Sequence, residues 1–407
     1  MNLGIASLPA ACDVLVVGAG PAGSAAAITL ARAGHDVVLV DQHVFPRDKV
    51  CGDGLIPDAH NALRQLGVLD EVMAQAQPSG FVGCIGPRGG RIDVPGALAV
   101  LPRKELDLIL CRAAVAAGAR MFAPVRFMAT IEAQGVVVGA TLQHGDTTRE
   151  LRARWVVLAS GAVPQALMAA GMSTRTTPSG VALRGYVKND AMVGRIDKLE
   201  VVWHRAVTPG YGWIFPCPNG VFNIGVGIAD SHNATRGGKL AKRELNLRQV
   251  MDDFKRVYAP ARELMESGTL LGAMKGAPLR CTLEGARFTR PGLIVTGEAA
   301  GSTYSFTGEG IGKALETGVL AAEAVHSGAP EAQLREGYEA KLLALKPRFD
   351  LYQRANSVNR HPWLADLLIW RAKKNPGLVR RMSGVLNETS NPGNLVSFKG
   401  FHRLFLE

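Results

Sequence analysis

The sequence predicts an α/β protein in which a Rossmann-type domain is interrupted by an inserted antiparallel β-sheet and followed by a helical segment. Two observations lead to this prediction: a strand–turn–helix–strand unit opens the chain, and consecutive strands occupy its middle. The 407 residues suffice for two or three domains. The composition, with 47% apolar and 20% charged residues, is typical of a folded globular protein.

The N-terminal unit carries the clearest motif. The apolar run 13–17 is followed by Gly18-Ala19-Gly20-Pro21-Ala22-Gly23, a helix to about residue 34, a strand at 36–40 and Asp41. In such a turn the first glycine permits the sharp bend, the second lets the backbone approach a pyrophosphate, and the third lets the helix pack closely. The helix offers its N-terminal amides to the phosphates, and Asp41 can accept hydrogen bonds from ribose hydroxyls. The unit therefore predicts a dinucleotide site.

Further segments extend both parts of the fold. We predict Rossmann strands at 155–161 and 293–298, helices at 106–118, 243–265 and 310–325, and inserted strands at 181–187, 199–204, 212–215 and 222–228. We assign residues 1–80, 101–180 and 281–340 to a discontinuous nucleotide-binding domain, 81–100 and 181–280 to a β-rich substrate domain, and 341–407 to a C-terminal helical region.

A second glycine-rich region follows the strand at 293–298. It contains Gly297-Glu298-Ala-Ala-Gly301 and then Thr307-Gly308-Glu309-Gly310-Ile311-Gly312, which opens a helix. A carboxylate at a strand end can hold the ribityl chain of a flavin, and amides at a helix start can stabilise negative charge on the flavin ring. Alone, the region is equally compatible with an ordinary strand–turn–helix. Together with the first motif, it predicts FAD as the cofactor.

The two motifs together resemble the FAD fold of p-hydroxybenzoate hydroxylase and its relatives, except that Glu298 stands where that superfamily usually has Asp. Within the superfamily, the chain most resembles the geranylgeranyl reductase family. Three segments carry this resemblance, which extends from about residue 12 to 328: PRDKVCGDGL at 46–55, GYGWIFP at 210–216 and TGEGI at 307–311. In the first segment, Asp53 departs from the family's usual glycine.

The resemblance implies a site for each ligand. The implied cofactor-binding residues are Gly18, Gly20, Pro21, Ala22, Gly23, Asp41, Arg47, Cys51, Gly52, Arg103, Gly161, Gly297, Glu298, Gly308, Gly310 and Ile311. The implied hydrophobic substrate cavity is lined by Tyr211, Trp213 and Phe215. Of these residues, Cys51, Tyr211 and Trp213 are the candidate catalytic ones.

Each assignment has a structural alternative. Cys51 is also compatible with a buried small hydrophobic residue, since most free cysteines have that role. Aromatic residues that alternate along a strand most often belong to the core. Arg47 and Arg103 are also compatible with solvated surface charges.

The resemblance further implies a reaction, in which reduced flavin delivers hydride to a C=C bond of a prenyl or other lipid-like substrate. Tyr211 or a cavity water would complete the addition with a proton. No second GxGxxG motif for a separate NAD(P)H-binding domain is evident. The electrons would therefore come from transiently docked NAD(P)H or from a reduced electron-transfer protein.

Three other functions remain compatible with the fold. An FAD-dependent hydroxylase is disfavoured because the strand before Gly161 ends in Ala-Ser, without the Asp of the hydroxylase Asp-Gly motif. A flavin halogenase is more distant, because Tyr211 stands at the first tryptophan of the halogenase Trp-x-Trp-x-Ile-Pro motif. A non-catalytic FAD protein that binds or relays electrons is the third.

Charge and cysteine usage restrict partners and location. The net charge of +11 favours acidic partners, and without a nucleic-acid-binding motif we expect a phosphorylated or lipid-like substrate and no nucleic acid. The six cysteines form no CxxC pair, so we expect no metal site and a reducing compartment. No signal peptide is recognisable, which predicts a cytoplasmic protein. The basic tail with Trp363 and Trp370 is either a packed helical cap or a surface for peripheral contact with the inner face of a membrane.

Overall fold

The computed structural model describes residues 2–229, 246–387 and 389. Its strands are β1 Ala11–Val17, β2 Val37–Val40, β3 Gly54–Leu55, β4 Gln77–Ile85, β5 Arg91–Val100, β6 Arg120–Phe122, β7 Arg126–Ala133, β8 Val136–His144, β9 Thr147–Leu158, β10 Gly180–Lys188, β11 Leu199–Val202, β12 Gly210–Pro216, β13 Val221–Ala229, β14 Thr269–Leu270, β15 Lys275–Leu279, β16 Thr289–Arg290 and β17 Leu293–Val295. Its helices are α1 Pro21–Arg32, α2 Pro57–Gln65, α3 Leu69–Gln75, α4 Arg103–Ala116, α5 Pro164–Ala169, α6 Leu247–Val257, α7 Ala259–Ser267, α8 Ile311–His326, α9 Glu331–Ala355, α10 Ser357–Arg360, α11 Trp363–Lys374 and α12 Pro376–Leu386.

The first sheet has the strand order β16-β17-β9-β1-β2-β6 and is parallel from β17 to β6, while β7 and β8 extend β9 as an antiparallel meander. Val17 lies opposite both Val40 and Leu158, and Leu158 lies opposite Val295. The carboxyl ends of four parallel strands therefore meet at one edge. In open α/β sheets this edge is where ligands bind.

Both faces of the first sheet are covered. In β1, Val14 and Val16 belong to a core shared with α1, α4 and α8, whereas Leu15 and Val17 belong to a core shared with β7, β8 and β9. Residues 14–17 of β1 are thus each buried on one side or the other, which explains the continuous apolar run in the sequence. The predicted Rossmann-type fold with a C-terminal helical segment is confirmed.

The second sheet has the order β14-β10-β13-β12-β11-β4-β5-β3, with β15 also paired to β10. Its pairs are antiparallel, as predicted, except that β11 runs parallel to β4. This parallel pair joins two stretches of chain that are distant in sequence. The sheet also includes β3 and the start of β4, which lie within the range 1–80 assigned to the nucleotide-binding domain; the domain boundaries stay a prediction.

The prediction of a single helix at 243–265 is wrong, because the described part of this range forms two helices. Residues 243–245 lie outside the described residues, and the rest forms α6 and α7, separated at Tyr258 by an extended backbone (φ −128°, ψ 103°). Pro260 follows in the first turn of α7, where its missing N–H costs no helical hydrogen bond. Within the described ranges, no helix is both long and apolar enough to cross a membrane.

Candidate active site

The first glycine turn is closed against the end of β9. Gly18 has a left-handed backbone (φ +100°), and a Cβ there would overlap the carbonyl oxygen of Ala159. A Cβ on Gly23 would overlap the carbonyl oxygen of Gly18. The structure therefore leaves no room for a side chain at the first and third glycines, while their role at a cofactor stays a prediction.

Asp41 follows β2 beside this turn. One carboxylate oxygen accepts a hydrogen bond from Ala19 N and the other from His43 N, both at 2.9 Å. Burial disfavours the carboxylate, but the His43 side chain, the Arg47 charge and these amides outweigh it and lower the pKa of Asp41. Asp41 is thus an ionised acceptor at the nucleotide turn, as a ribose-binding role requires.

Two arginines and one carboxylate form a buried cluster next to the turn. Asp107 is fully buried and accepts hydrogen bonds from Arg103 Nε at 2.7 Å and Nη2 at 2.8 Å, while Arg47 Nη1 lies 3.0 Å away. Burial opposes the charge on Arg103, but Asp107 outweighs this effect and raises the pKa of Arg103. The Arg103 guanidinium is therefore charged, and Asp107 holds both arginine side chains in place.

This cluster fits a phosphate-bearing cofactor. A Cβ on Gly20 would lie 3.7 Å from Nη2 of both Arg47 and Arg103, so the second glycine leaves a space bounded by two cations. The buried Nε of Arg47 has no hydrogen-bond partner in the described structure. Gly20 is the N-cap residue of α1 and provides no side-chain cap, so the amides of Ala22 and Gly23, which follow Pro21, have no capping side chain. Two charges, free amides and an unused donor suit the FAD pyrophosphate.

The second glycine-rich region reaches the same edge of the sheet. Gly297 (φ +65°) opens a 3₁₀ turn directly after β17, and a Cβ there would lie 2.5 Å from Cβ of Ala22 in α1. Glu298 is half-buried and accepts a hydrogen bond of 3.4 Å from Thr303. Gly310 begins α8, again without a side-chain cap. The motif is thus placed beside the start of α1, as a shared cofactor site requires.

The remaining predicted glycine of the parallel sheet, Gly161 (φ +75°), lies two residues after Ala159, which contacts Gly18. It therefore follows the carboxyl end of β9 at the same edge. Ile311, at the start of α8, is buried.

The three aromatic residues of the predicted substrate cavity share one face of the second sheet. Tyr211, Trp213 and Phe215 lie opposite Gly227, Gly225 and Asn223 of β13, respectively. The Trp213 ring covers Gly225, where a Cβ would overlap it, and is only 6% exposed.

This aromatic face meets the CGDG segment at Gly52. A Cβ on Gly52 would lie 3.3 Å from the Phe215 ring and 3.8 Å from Nε1 of Trp213. The adjacent Cys51 is half-buried, and burial raises the pKa of its thiol. The structure therefore brings the CGDG segment and the aromatic face together, with the Cys51 thiol protonated at neutral pH.

Tyr211 connects the aromatic face with the second glycine-rich region. Its hydroxyl donates a hydrogen bond to the carbonyl oxygen of Thr307 and lies 2.8 Å from where a Cβ on Gly308 would be. Gly308 itself is exposed and left-handed (φ +71°). Burial, and then Glu309, raise the pKa of Tyr211. Its proton is thus firmly held and engaged with the loop.

A buried polar network, which sequence analysis missed, supports these aromatic residues. Asp53 is fully buried and accepts hydrogen bonds from Tyr186 at 2.5 Å, Asn223 Nδ2 at 2.7 Å and Arg103 N at 3.3 Å. Asn223 Nδ2 also donates to Cys51 O at 2.8 Å, and its Oδ1 accepts from Trp213 Nε1 at 2.9 Å. One carboxylate thereby connects the start of α4, the CGDG segment and the Trp213 ring.

Two properties of Asp53 follow from its position. Burial raises its pKa to about 6, although Tyr186 and Arg184 partly offset the shift. Its backbone is left-handed (φ +64°), a conformation that glycine adopts more readily. This position therefore combines a backbone conformation typical of glycine with a buried carboxylate. The departure at position 53 was the available signal, but its partners come from other strands.

Comparisons with known proteins agree with this geometry. Residues 11–241 match the FAD binding domain family. The chain is 35% identical to a menaquinone reductase of Mycolicibacterium smegmatis, over 78% of this chain and 76% of that protein. It is 30% identical to a digeranylgeranylglycerophospholipid reductase of Methanosarcina mazei, over 81% and 80%.

Solved structures show the same fold. A geranylgeranyl bacteriochlorophyll reductase-like protein from Thermoplasma acidophilum superposes with a TM-score of 0.71 at 22% identity, covering 98% of this chain and 96% of that one. A flavin-dependent brominase superposes with a TM-score of 0.73 at 20% identity, covering 97% and 99%. At such identities the likeness concerns the fold alone.

The fold and the matched domain define an FAD-dependent oxidoreductase. Within that class, the chain belongs to the geranylgeranyl reductase-like family, of the type that includes its menaquinone reductase relatives. The family inferred from the three sequence segments is thereby confirmed, while the roles of individual residues stay predictions.

Proposed function

We propose that this enzyme saturates a C=C bond in the prenyl chain of a hydrophobic lipid, with a polyprenyl quinone as the leading substrate class. The observation that carries the proposal is the proximity of the Phe215 ring to the CGDG segment, where a Cβ added on Gly52 or Gly54 would lie 3.3 or 3.5 Å from it. If this segment borders the flavin, as the resemblance implies, the aromatic face lies next to the cofactor. An unfunctionalised isoprenoid chain offers no polar groups, so such a face suits it. The names of the relatives, menaquinone reductase and digeranylgeranylglycerophospholipid reductase, support the same class.

Different residues bind the cofactor and the substrate in the proposed reaction. FAD, when bound, supplies the two-electron chemistry. Arg47 and Arg103 hold its phosphates, and Asp107 keeps both guanidinium groups in position. Trp213 and Phe215 orient the prenyl chain and exclude water from the alkene.

The second hydrogen of the product comes from a proton donor. Tyr211 is one candidate and a cavity water is the other. The Tyr211 hydroxyl must leave the Thr307 carbonyl before it can protonate a substrate, because its only hydrogen is engaged there. The electrons come from NAD(P)H or from a reduced electron-transfer protein, each of which docks transiently.

An anaerobic assay tests the proposal. FAD-loaded enzyme is reduced chemically, mixed without oxygen with a detergent-solubilised polyprenyl quinone or geranylgeranyl diphosphate, and the product mass is measured. Any quinol is oxidised back to the quinone before the mass is measured, because reduction of the ring would also add two hydrogens. The expected product then still carries hydrogen gained in pairs, on the prenyl chain, and no oxygen. A substrate that is unchanged without oxygen but gains an oxygen atom in air would replace the proposal with monooxygenation.

A variant sharpens this assay. Phe215→Ala removes apolar contact with the prenyl chain, so we expect KM to rise by roughly 10-fold or more. Phe81→Ala is the matched control, because Phe81 is 41% exposed and lies on β4. Equal effects of the two substitutions would contradict the assignment of the aromatic face.

A further inference from the structure

Helix α11 has two contrasting faces. Leu364, Ala365, Ile369 and Ala372 are buried against the rest of the protein. The opposite side carries a stripe at helical spacing, formed by Trp363, Leu367, Trp370 and Lys374. Trp363 is 57% exposed and Trp370 48%, although tryptophan is normally largely buried in a folded protein. We call these four residues the tryptophan stripe.

Positive charge surrounds the tryptophan stripe. The Lys374 ammonium lies 4.6 Å from the centre of the Trp370 ring and the Arg371 guanidinium 5.8 Å from it. Lys373 is exposed next to them, and Arg380 and Arg381 are exposed on α12. The acidic residue of the helix, Asp366, is offset by Arg88, whose Nε lies 3.8 Å away and whose backbone N donates to it at 3.2 Å. The surface therefore combines indole rings with a local excess of cations.

The buried face of α11 reaches the substrate side. Leu364 and Ala365 belong to a cluster with Trp203, against which Tyr211 and Phe306 pack. The Trp203 ring lies 6.1 Å from that of Tyr211 and 6.3 Å from that of Phe306. One helix thus separates the exposed tryptophans from the aromatic face of the proposed cavity.

We propose that the tryptophan stripe docks on the surface of an anionic lipid bilayer and places the substrate cavity next to the membrane that holds its lipid. The inference rests on the proposed function for the identity of the lipid. Charge complementarity selects the occupant: basic side chains bind anionic headgroups, while indole rings insert at the headgroup level. A phosphatidylglycerol-containing bilayer supplies both features.

Vesicle binding tests this docking without any substrate. FAD-loaded protein is sedimented with vesicles of phosphatidylcholine alone or with 30% phosphatidylglycerol, at low and high salt. We expect binding to the anionic vesicles that weakens with salt. Trp363→Ser/Trp370→Ser should reduce it at least about 10-fold, and Lys373→Gln/Lys374→Gln roughly 30-fold, at about 1 kcal/mol per charge.

Matched controls remove two exposed apolar side chains or two exposed charges from other parts of the surface. Met168→Ser/Val193→Ser replaces residues that are 45% and 58% exposed on other elements, and Arg126→Gln/Arg149→Gln removes two exposed charges from the β7–β9 meander. Neither control should change vesicle binding more than about twofold. For the wild-type protein, quenching of tryptophan fluorescence by bromine-labelled lipids provides a readout that needs no variant.

The outcomes separate docking from catalysis. Absence of wild-type binding and quenching, equal binding to neutral vesicles, or equal loss in the controls would each overturn the docking proposal. A stripe that instead mediates self-association, seen as a dimer lost in the tryptophan variant, would also overturn it. Alkene reduction in detergent does not depend on the tryptophan stripe, so the stripe variants should retain it. Absence of this activity in the wild-type protein would count against the proposed function alone.

Discussion

The nucleotide turn and the aromatic face are built in different ways. At the turn, Gly18, Gly20 and Gly23 act within six residues, and Arg103 pairs with Asp107 one helical turn away. The network beneath the aromatic face depends on contacts between distant parts of the chain, as between Asp53 and Asn223, which are 170 residues apart. The turn excludes side chains by its backbone, whereas the aromatic face is a set of side-chain contacts. Substitutions should therefore be least tolerated at the turn.

The largest effect is expected from Gly23→Ala. The added methyl group would overlap the Gly18 carbonyl oxygen, so the turn cannot keep its shape. We expect the purified protein to lack FAD and to melt at a much lower temperature, or to fail to fold. Flavin absorbance and thermal unfolding measure both. Gly337→Ala, in the exposed middle of α9 where a Cβ meets nothing, should instead stabilise the protein by up to about 1 kcal/mol.

Breaking the buried ion pair comes second. Arg103→Gln leaves the fully buried Asp107 with Arg47 as its remaining cation, which should cost about 2–4 kcal/mol in free energy of unfolding and weaken FAD binding. Denaturant unfolding and flavin titration provide the measurements. In Arg103→Gln/Asp107→Asn, most of the stability should return while FAD affinity stays low. Full recovery of affinity in the double variant would show that Arg103 does not contact the cofactor.

The network beneath the aromatic face should be visible in the pH dependence of stability. The pKa of Asp53 is about 6 in the folded protein, above the value of about 3.9 for an unfolded chain. The folded state therefore binds this proton more tightly, and ionisation of Asp53 costs stability as pH rises from about 4 to 6. Relative to Asp53→Asn, the wild type should lose about 2–3 kcal/mol across that window and no more above it. If the free energies of unfolding of the two proteins change in parallel from pH 4 to 7, the pKa of Asp53 is not raised.

The smallest effect is expected from Tyr211→Phe. If the hydroxyl mainly fixes the Thr307 loop, the rate of alkene reduction should fall by less than about 10-fold, since one neutral hydrogen bond is lost. A proton donor would cost about 10²–10⁴-fold and change the pH profile. Single-turnover rates of the two proteins distinguish these roles, and a loss in the larger range would make Tyr211 catalytic.

The same contrast explains what the sequence could predict. The glycine turn, Asp41 and the second glycine-rich region depend on local order and on the edge where parallel strands end, so they were found from residue spacing. The alternation of Tyr211, Trp213 and Phe215 indicated a shared face, which the structure has. Their location beside the CGDG segment followed only from resemblance to a family.

The sequence could not predict the side-chain contacts between strands. Nothing in the spacing shows that Asn223 lies opposite Phe215 or that Asp53 receives its hydrogen bonds from β10 and β13. The parallel pairing of β11 with β4 likewise depends on the tertiary structure and has no local sequence signal. The break at Tyr258 was overlooked because an apolar helical pattern continues through it, although Pro260 was an available signal.

A single anaerobic turnover tests the central claim most directly. Enzyme carrying reduced FAD is mixed with a polyprenyl quinone, and flavin reoxidation is followed by absorbance while the product is analysed by mass. After any quinol has been oxidised back to the quinone, we expect a product that is heavier by two hydrogens in its prenyl chain, with one C=C bond saturated for each flavin reoxidised and no oxygen incorporated. A quinone of unchanged mass would show that the electrons reduced the ring instead and would contradict the claim. Flavin that stays reduced until air is admitted, followed by a product carrying an added oxygen atom, would contradict it.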